Sequence, residues 1–183
     1  VGYLGRFVAE KGVGLLTAAL DGVKTPWRAL FVGGGPLEAE LRAWAGRFPD
    51  GRVRIVNSVP HDTVPQYVAS MDILAAPSQT TPRWKEQLGR MLIEAMACGV
   101  AVVGSDSGEI PHVIGEAGEI VAEADVAGWT RTLGALIEDP GRRRKLAEAG
   151  RDRAVTRFAW PIIGEKHLEF FEEILVGRAR KSS

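Results

Sequence analysis

Apolar and polar positions follow two regimes that alternate along the chain. Short, nearly continuous apolar runs occur at VGYLGRF (1–7), WRALFVGG (27–34), VRIVNSV (53–59), DILAAPS (72–78), VAVVGS (100–105) and GEIV (118–121). Their length and β-branched content predict strands. The segments between them space apolar residues three or four apart, as Val13, Leu16 and Leu20 do in KGVGLLTAAL (11–20). This spacing predicts helices. Further helices are predicted at 36–48, with Pro36 in the first turn, and at 61–71, with Asp62 or Thr63 as N-cap. Another is predicted at 88–99, closed by Gly99, with a brief helical turn at 109–114. Helices then follow at 125–138, 140–157 and 161–176.

Strands that alternate with helices, and are apolar on both faces, predict a parallel sheet covered on both sides. The expected fold class is α/β, a doubly wound Rossmann-like sheet with additional C-terminal helices, built as one domain over 1–183. Ligands of such sheets bind beyond the carboxyl ends of the strands. The strand-to-helix turns are therefore the segments to search for chemistry.

Composition narrows the picture only a little. The chain has 183 residues, 45% of them hydrophobic and 25% charged, which suits an ordinary globular protein. Lys+Arg and Asp+Glu both number 23, so there is no global pull toward nucleic acid or an anionic membrane. The single cysteine, Cys98, rules out an internal disulfide, and its apolar neighbours suggest a small buried thiol. The RRRK run at 142–145 reads as a solvated helix face. The chain opens on Val1 inside a strand-like run, from which an upstream segment is expected.

Three turns stand out. In GRFVAEKG (5–12), Gly5 ends a strand and the cations Arg6 and Lys11 follow. Lys11 lies at a helix start, where exposed N–H groups favour an anion, so a bound phosphate would relieve the misplaced cation. In VGGGPLE (32–38), Gly33, Gly34 and Gly35 suggest close approach to a ligand. In KEQLGRMLIEAMACGV (85–100), Glu86 lies in a loop and Glu94 on the helix behind it. The open N–H groups near Leu88 to Met91 suit a phosphate. Carboxylates accept from hydroxyl groups. A ligand with a central diphosphate and a hydroxyl-rich group at each end matches this set, and a nucleotide-sugar has that shape.

Other chemistries fail on particular residues. A dinucleotide fingerprint needs G-x-G-x-x-G, and Glu38 holds the third glycine position. In GSDSGEIPH (104–112), Asp106 stands where a nucleophile elbow needs serine. His61, His112 and His167 show no metal-ligand spacing.

With these turns assembled, the whole chain resembles the C-terminal, donor-binding half of a GT-B glycosyltransferase of the retaining family 4. GRFVAEKG resembles that family's G-R-x-x-x-x-K-G segment, VGGGPLEAEL its glycine-rich turn, and EQLGRMLIEAMACGVAVVGSDSGEIPHVI its E-x7-E motif and following loop. The resemblance implies that Arg6 and Lys11 contact the donor diphosphate and that Glu86 holds hydroxyls of the donor sugar. It implies that Glu94 holds the nucleotide ribose. Gly5, Gly34, Gly89, Arg90 and Met91 would lie against the donor, and Ser58, within 57–59, near the base. It implies a nucleotide-diphosphate-sugar as donor and no metal or other cofactor.

Two departures qualify this. Glu109 and His112 replace the usual glycine and final acid of the loop after the E-x7-E motif. The segment PSQTTPRWKEQ (77–87) is longer than the minimal spacing, and Arg83 and Trp84 within it either line the sugar pocket or pack. The N-terminal half, which would bind a sugar, lipid or small-molecule acceptor, is absent, so the chain alone is expected to be inactive. The helix over 161–183 is expected to cross toward that half. The family points to a cytoplasmic protein, with peripheral attachment at the inner membrane face left open. A nucleotide-sugar epimerase of the same fold, or a non-catalytic nucleotide-binding domain, remains the alternative.

Overall fold

Six apolar runs become strands of one sheet: β1 (Gly2–Leu4), β2 (Ala29–Val32), β3 (Val53–Val56), β4 (Ile73–Ala76), β5 (Ala101–Ser105) and β6 (Glu119–Val121). The computed structural model describes residues 1–57 and 59–181, with side chains of the last helix described through Leu175. The strand order is β3-β2-β1-β4-β5-β6, and every pair is parallel. The helices are α1 (Val13–Gly22), α2 (Glu38–Ala45), α3 (Val64–Ala69), α4 (Arg90–Ala97), α5 (Ile110–Ile114), α6 (Val126–Glu138), α7 (Pro140–Arg153) and α8 (Trp160–Lys181).

Side chains alternate across each strand, so the central strands feed two cores. Ile73 and Ala75 face one side, with Phe31 of β2 and with Leu16, Leu20, Trp129 and Leu133 of the α1–α6 layer. Leu74 and Ala76 face the other, with Leu92, Ala95, Met96, Ile110 and Ile114 of the α4–α5 layer. Val102 and Val103 divide in the same way. This two-sided burial explains the continuous apolar runs and confirms the doubly wound Rossmann-like arrangement.

Local differences have clear causes. Pro36 lies in a turn ahead of α2, whose first residue is Glu38. Thr63 makes no cap bond, because its Oγ1 donates to the Pro60 carbonyl at 2.7 Å. The helix expected to run to 157 ends at Arg153 and passes into a π-helical turn, Ala154–Phe158. The RRRK run is not simply solvated. Arg142 pairs with Glu119 at 2.6 Å, and Arg143 donates to the Leu136 and Ile137 carbonyls at the end of α6. Cys98 is half-buried, and burial and then Glu94 push its thiol pKa up.

Glu38 ties the start of α2 to the end of β3. Its Oε1 accepts from Asn57 Nδ2 at 2.8 Å and Arg42 Nε at 2.9 Å. The Asn57 hydrogen bond, then Arg42, lowers the carboxyl pKa. The folded pKa is depressed, so this contribution is fully present above the ordinary carboxylate pKa and is lost as pH falls through the lowered folded pKa. Glu38→Gln is expected to lower the thermal midpoint slightly at neutral pH, and the gap should close as the pH falls through the depressed Glu38 pKa. Melting curves across that range check this.

Candidate functional site

The strand order reverses between β1 and β4, and a cleft opens there at the carboxyl ends of the strands. A cavity of about 380 Å³ occupies it, lined by Leu4, Gly5, Arg6, Lys11, His61, Val64, Glu86, Arg90, Met91 and Glu94. Arg6, Lys11, Glu86 and Glu94 therefore surround one hollow, although Glu86 lies 75 residues from Lys11.

The turn after β1 is held rigidly. Gly5 N donates to the Val32 carbonyl at 3.0 Å, and Phe7 N to the Gly34 carbonyl at 2.9 Å. Tyr3 OH donates to the Arg6 carbonyl at 2.7 Å. Burial, with Glu86 and Glu10 nearby, raises the phenol pKa well above its ordinary value, so this donor keeps its proton. The Arg6 side chain is exposed along the rim of the cavity. Lys11 closes a short 3-10 turn, Ala9–Lys11, and reaches across to the loop after β4.

Glu86 is only 7% exposed, so its charge needs partners. Its Oε2 accepts from Lys11 Nζ at 2.6 Å and from Ser78 Oγ at 2.8 Å. Lys11 Nζ also lies 4.8 Å from the centre of the Trp84 ring. The Glu86 carbonyl accepts from Glu109 N at 3.0 Å, which fastens the carboxylate loop to the turn after β5. Lys11, Ser78, Trp84 and Glu86 thus form one packed polar unit.

Helix α4 points its N-terminus at the same hollow. Gly89 is its N-cap, with φ 67° and ψ 48°. That left-handed conformation is easy only for glycine. A Cβ at Gly89 would also press on Leu92 Cδ1 at 3.0 Å. No side chain caps this end, and although Leu92 N donates to the Gly89 carbonyl at 2.8 Å, the N–H groups of Arg90 and Met91 stay available to an anion. Arg90 lies 77% exposed and forms a loose pair with Glu94, Nε to Oε1 3.5 Å. Glu94 shares the cavity wall with Met91, one helical turn below.

One sequence candidate stands elsewhere. Gly34 is not among the lining residues, and its carbonyl is spent on Phe7 N. Ser58 lies outside the described residues. The triple glycine lets backbone meet backbone: a Cβ on Gly33 would sit 1.9 Å from the Gly5 carbonyl, and one on Gly35 2.6 Å from that of Phe7. Conversely, His61, which the sequence marks only as lacking metal-ligand spacing, lines the cavity, as do Leu4 and Val64. Ser78 is missing from the sequence candidates altogether. A serine directly after the apolar β4 run, ahead of the glutamate loop, is the signal that could have found it. Among the described residues no group of His, Cys, Asp and Glu is placed to hold a metal ion. Among the same residues no helix is long and apolar enough to cross a membrane.

Known proteins share this fold. The family model described as Glycosyl transferases group 1 matches residues 1–139. The chain is 33% identical over 183 residues to the GDP-mannose-dependent alpha-(1-6)-phosphatidylinositol monomannoside mannosyltransferase of Mycolicibacterium smegmatis, covering 96% of this chain and 47% of that protein. It is 32% identical over 189 residues to the 2-deoxystreptamine N-acetyl-D-glucosaminyltransferase of Streptomyces fradiae, covering 98% of this chain and 43% of that one. Among solved structures, Anabaena Alr3699/HepE in complex with UDP superposes with a TM-score of 0.81 at 24% identity, covering 94% of this chain and 48% of that chain. The C-terminal domain of the group 1 glycosyl transferase LpcC from Francisella tularensis superposes with a TM-score of 0.74 at 25% identity, covering 87% and 85%. The chain spans about half the length of the curated relatives it matches. Its sheet matches the C-terminal half of GT-B structures. With a family match across well over half of its residues, the chain belongs to the group 1 glycosyl transferases.

Proposed function

We propose that this chain is the donor-binding half of a retaining glycosyltransferase that takes its sugar from a nucleotide-diphosphate-sugar. The observation that carries the reading is the convergence of Arg6, Lys11, Glu86, Glu94 and the α4 N-terminus on one hollow at the sheet's switch point. Two cations and a helix N-terminus suit a diphosphate, and a carboxylate on either side suits hydroxyl groups. The relatives are glycosyltransferases, and one structural neighbour holds UDP, which supports the same class of ligand.

In this reading Arg6 and Lys11 face the diphosphate and stabilise the charge that develops as the sugar–phosphate bond breaks. The N–H groups of Arg90 and Met91 take a phosphate oxygen. Glu86, oriented by Ser78, receives sugar hydroxyls, and Glu94 receives the ribose. Gly5 borders the nucleotide. The cations supply the electrostatic work, so no metal is required. The acceptor, whether sugar, lipid or small molecule, belongs to a second half that this chain does not contain, and the chain alone transfers no sugar. Helix α8 reaches toward that half: Leu168, Phe170, Phe171 and Leu175 are exposed on it. The protein works in the cytoplasm, with the acceptor deciding any membrane contact.

Thermal melting of the intact protein with UDP-, GDP- and ADP-sugars tests this. One donor at about a hundred times its Kd is expected to stabilise the fold by about 2.7 kcal/mol, which is a rise of roughly 5–10 °C. Arg6→Ala and Lys11→Ala should abolish most of the rise. Arg144→Ala, on an exposed face of α7, should leave it intact. No rise with any donor would overturn the reading.

A further inference from the structure

Residues 79–86 run from the end of β4 into the carboxylate loop, within the 77–87 stretch that is longer than the minimal spacing of the resembled family. Their backbone is pinned at several points. Gln79 N donates to the Glu10 carbonyl at 2.8 Å, directly beside Lys11. Thr80 Oγ1 lies 2.5 Å from Glu123 Oε1 and 2.9 Å from Ser107 Oγ. Thr81 and Trp84 close a tight turn around Pro82 and Arg83 with two backbone bonds, 2.7 and 3.2 Å. That turn presents the indole of Trp84 to Lys11 Nζ at 4.8 Å, while Glu86 holds the same ammonium at 2.6 Å.

Lysine is a flexible four-carbon stem, and fixing it costs rotamer entropy. Here the ammonium sits between an aromatic face and a carboxylate, so the ordering is complete before any ligand arrives. An ammonium has three N–H donors. Glu86 takes one and the ring faces another. One direction remains for an anion in the hollow. Order established before binding adds to affinity because less is lost on association.

We propose that Trp84 is a positioning residue for the donor diphosphate, acting through Lys11. The inference rests on the donor-binding reading above. Residues 79–86 then clamp the β1-turn lysine from the opposite side of the switch point. A Trp84 that merely packs would influence stability but not the part of affinity that Lys11 supplies.

The test is a double-mutant cycle on the intact protein. Affinity is measured by titration calorimetry for UDP or GDP, whichever the parent binds more tightly. Trp84→Ala is expected to weaken binding about three- to tenfold, the range of a partly desolvated cation–π contact. Trp84→Phe, which keeps an aromatic face, should recover most of that loss and keeps the test open if the alanine variant does not fold. In a Lys11→Ala background Trp84→Ala should cause no further loss. Unchanged affinity in both Trp84 variants, or a loss that persists in full without Lys11, overturns the proposal and leaves the donor reading standing. A Lys11→Ala variant that binds like the parent overturns both.

Discussion

Glu86→Gln is expected to lower sugar transfer by the intact enzyme about a hundredfold or more, while affinity for the free nucleoside diphosphate stays within about threefold of the parent. The substitution keeps the shape of the side chain and a carbonyl-type acceptor for Ser78. It removes the charge that meets Lys11 at 2.6 Å, and it turns one acceptor into a donor. A sugar hydroxyl that donates a hydrogen bond to a carboxylate meets an N–H donor instead, and that mismatch is felt at the reacting end of the donor. The diphosphate end loses little: Lys11 gives up one of its two positioning partners but keeps the Trp84 face. Steady-state kcat and KM with the donor, set beside calorimetry with the free nucleotide, separate the two ends. Equal losses in both would place Glu86 at the wrong end of the ligand.

Gly108→Ala is expected to unfold the carboxylate loop's support and to lower the thermal midpoint by about 5–15 °C. Gly108 has φ 55°, in the left-handed region. That conformation alone costs alanine about 1–2 kcal/mol. The larger effect is steric: a Cβ there would stand 1.9 Å from the Glu86 carbonyl oxygen and 3.1 Å from Glu86 N. Relief requires the Glu86 backbone to move. Its bond from Glu109 N is then lost, adding about 1–3 kcal/mol for the groups left unpaired. Because the same shift carries the carboxylate away from Lys11 and Ser78, donor affinity and stability should fall together. Gly51→Ala serves as the comparison. It shares a positive φ, 80°, but its added Cβ meets nothing within 4 Å. It should lose only the conformational part and keep donor binding.

The alternation of apolar runs was enough to read the sheet, its parallel sense and the end of the sheet at which the candidate hollow opens, because the strands and their order of helix and turn depend on residues close in sequence. VAVVGS and DILAAPS could only be two-sided strands, and the turns after β1 and β4 had to share one end of the sheet. What stays hidden in the sequence depends on partners far along the chain. Arg142 reads as a solvated cation until Glu119 is placed beside it. Trp84 reads as either pocket or packing until Lys11 crosses the cleft. The three glycines at 33–35 suggested a ligand, whereas two of them make room for the neighbouring turn's own backbone. His61 gave no sign of the cavity, since nothing local distinguishes a histidine opening a 3-10 turn at a strand end from any surface one. The departure at Glu109 proved structurally benign. Its backbone N–H, not its side chain, is what holds Glu86, and any residue but proline supplies that.

The closing helix leaves the body through a single extended residue, Ala159, after the π-helical turn. From Gly164 to Leu175 every residue lies open to solvent. This stretch works as a handle rather than a wall. Trimming it would strip off much of the greasy outer surface without exposing the interior, so the parts of the chain that govern how well it dissolves and those that govern whether it folds are largely different.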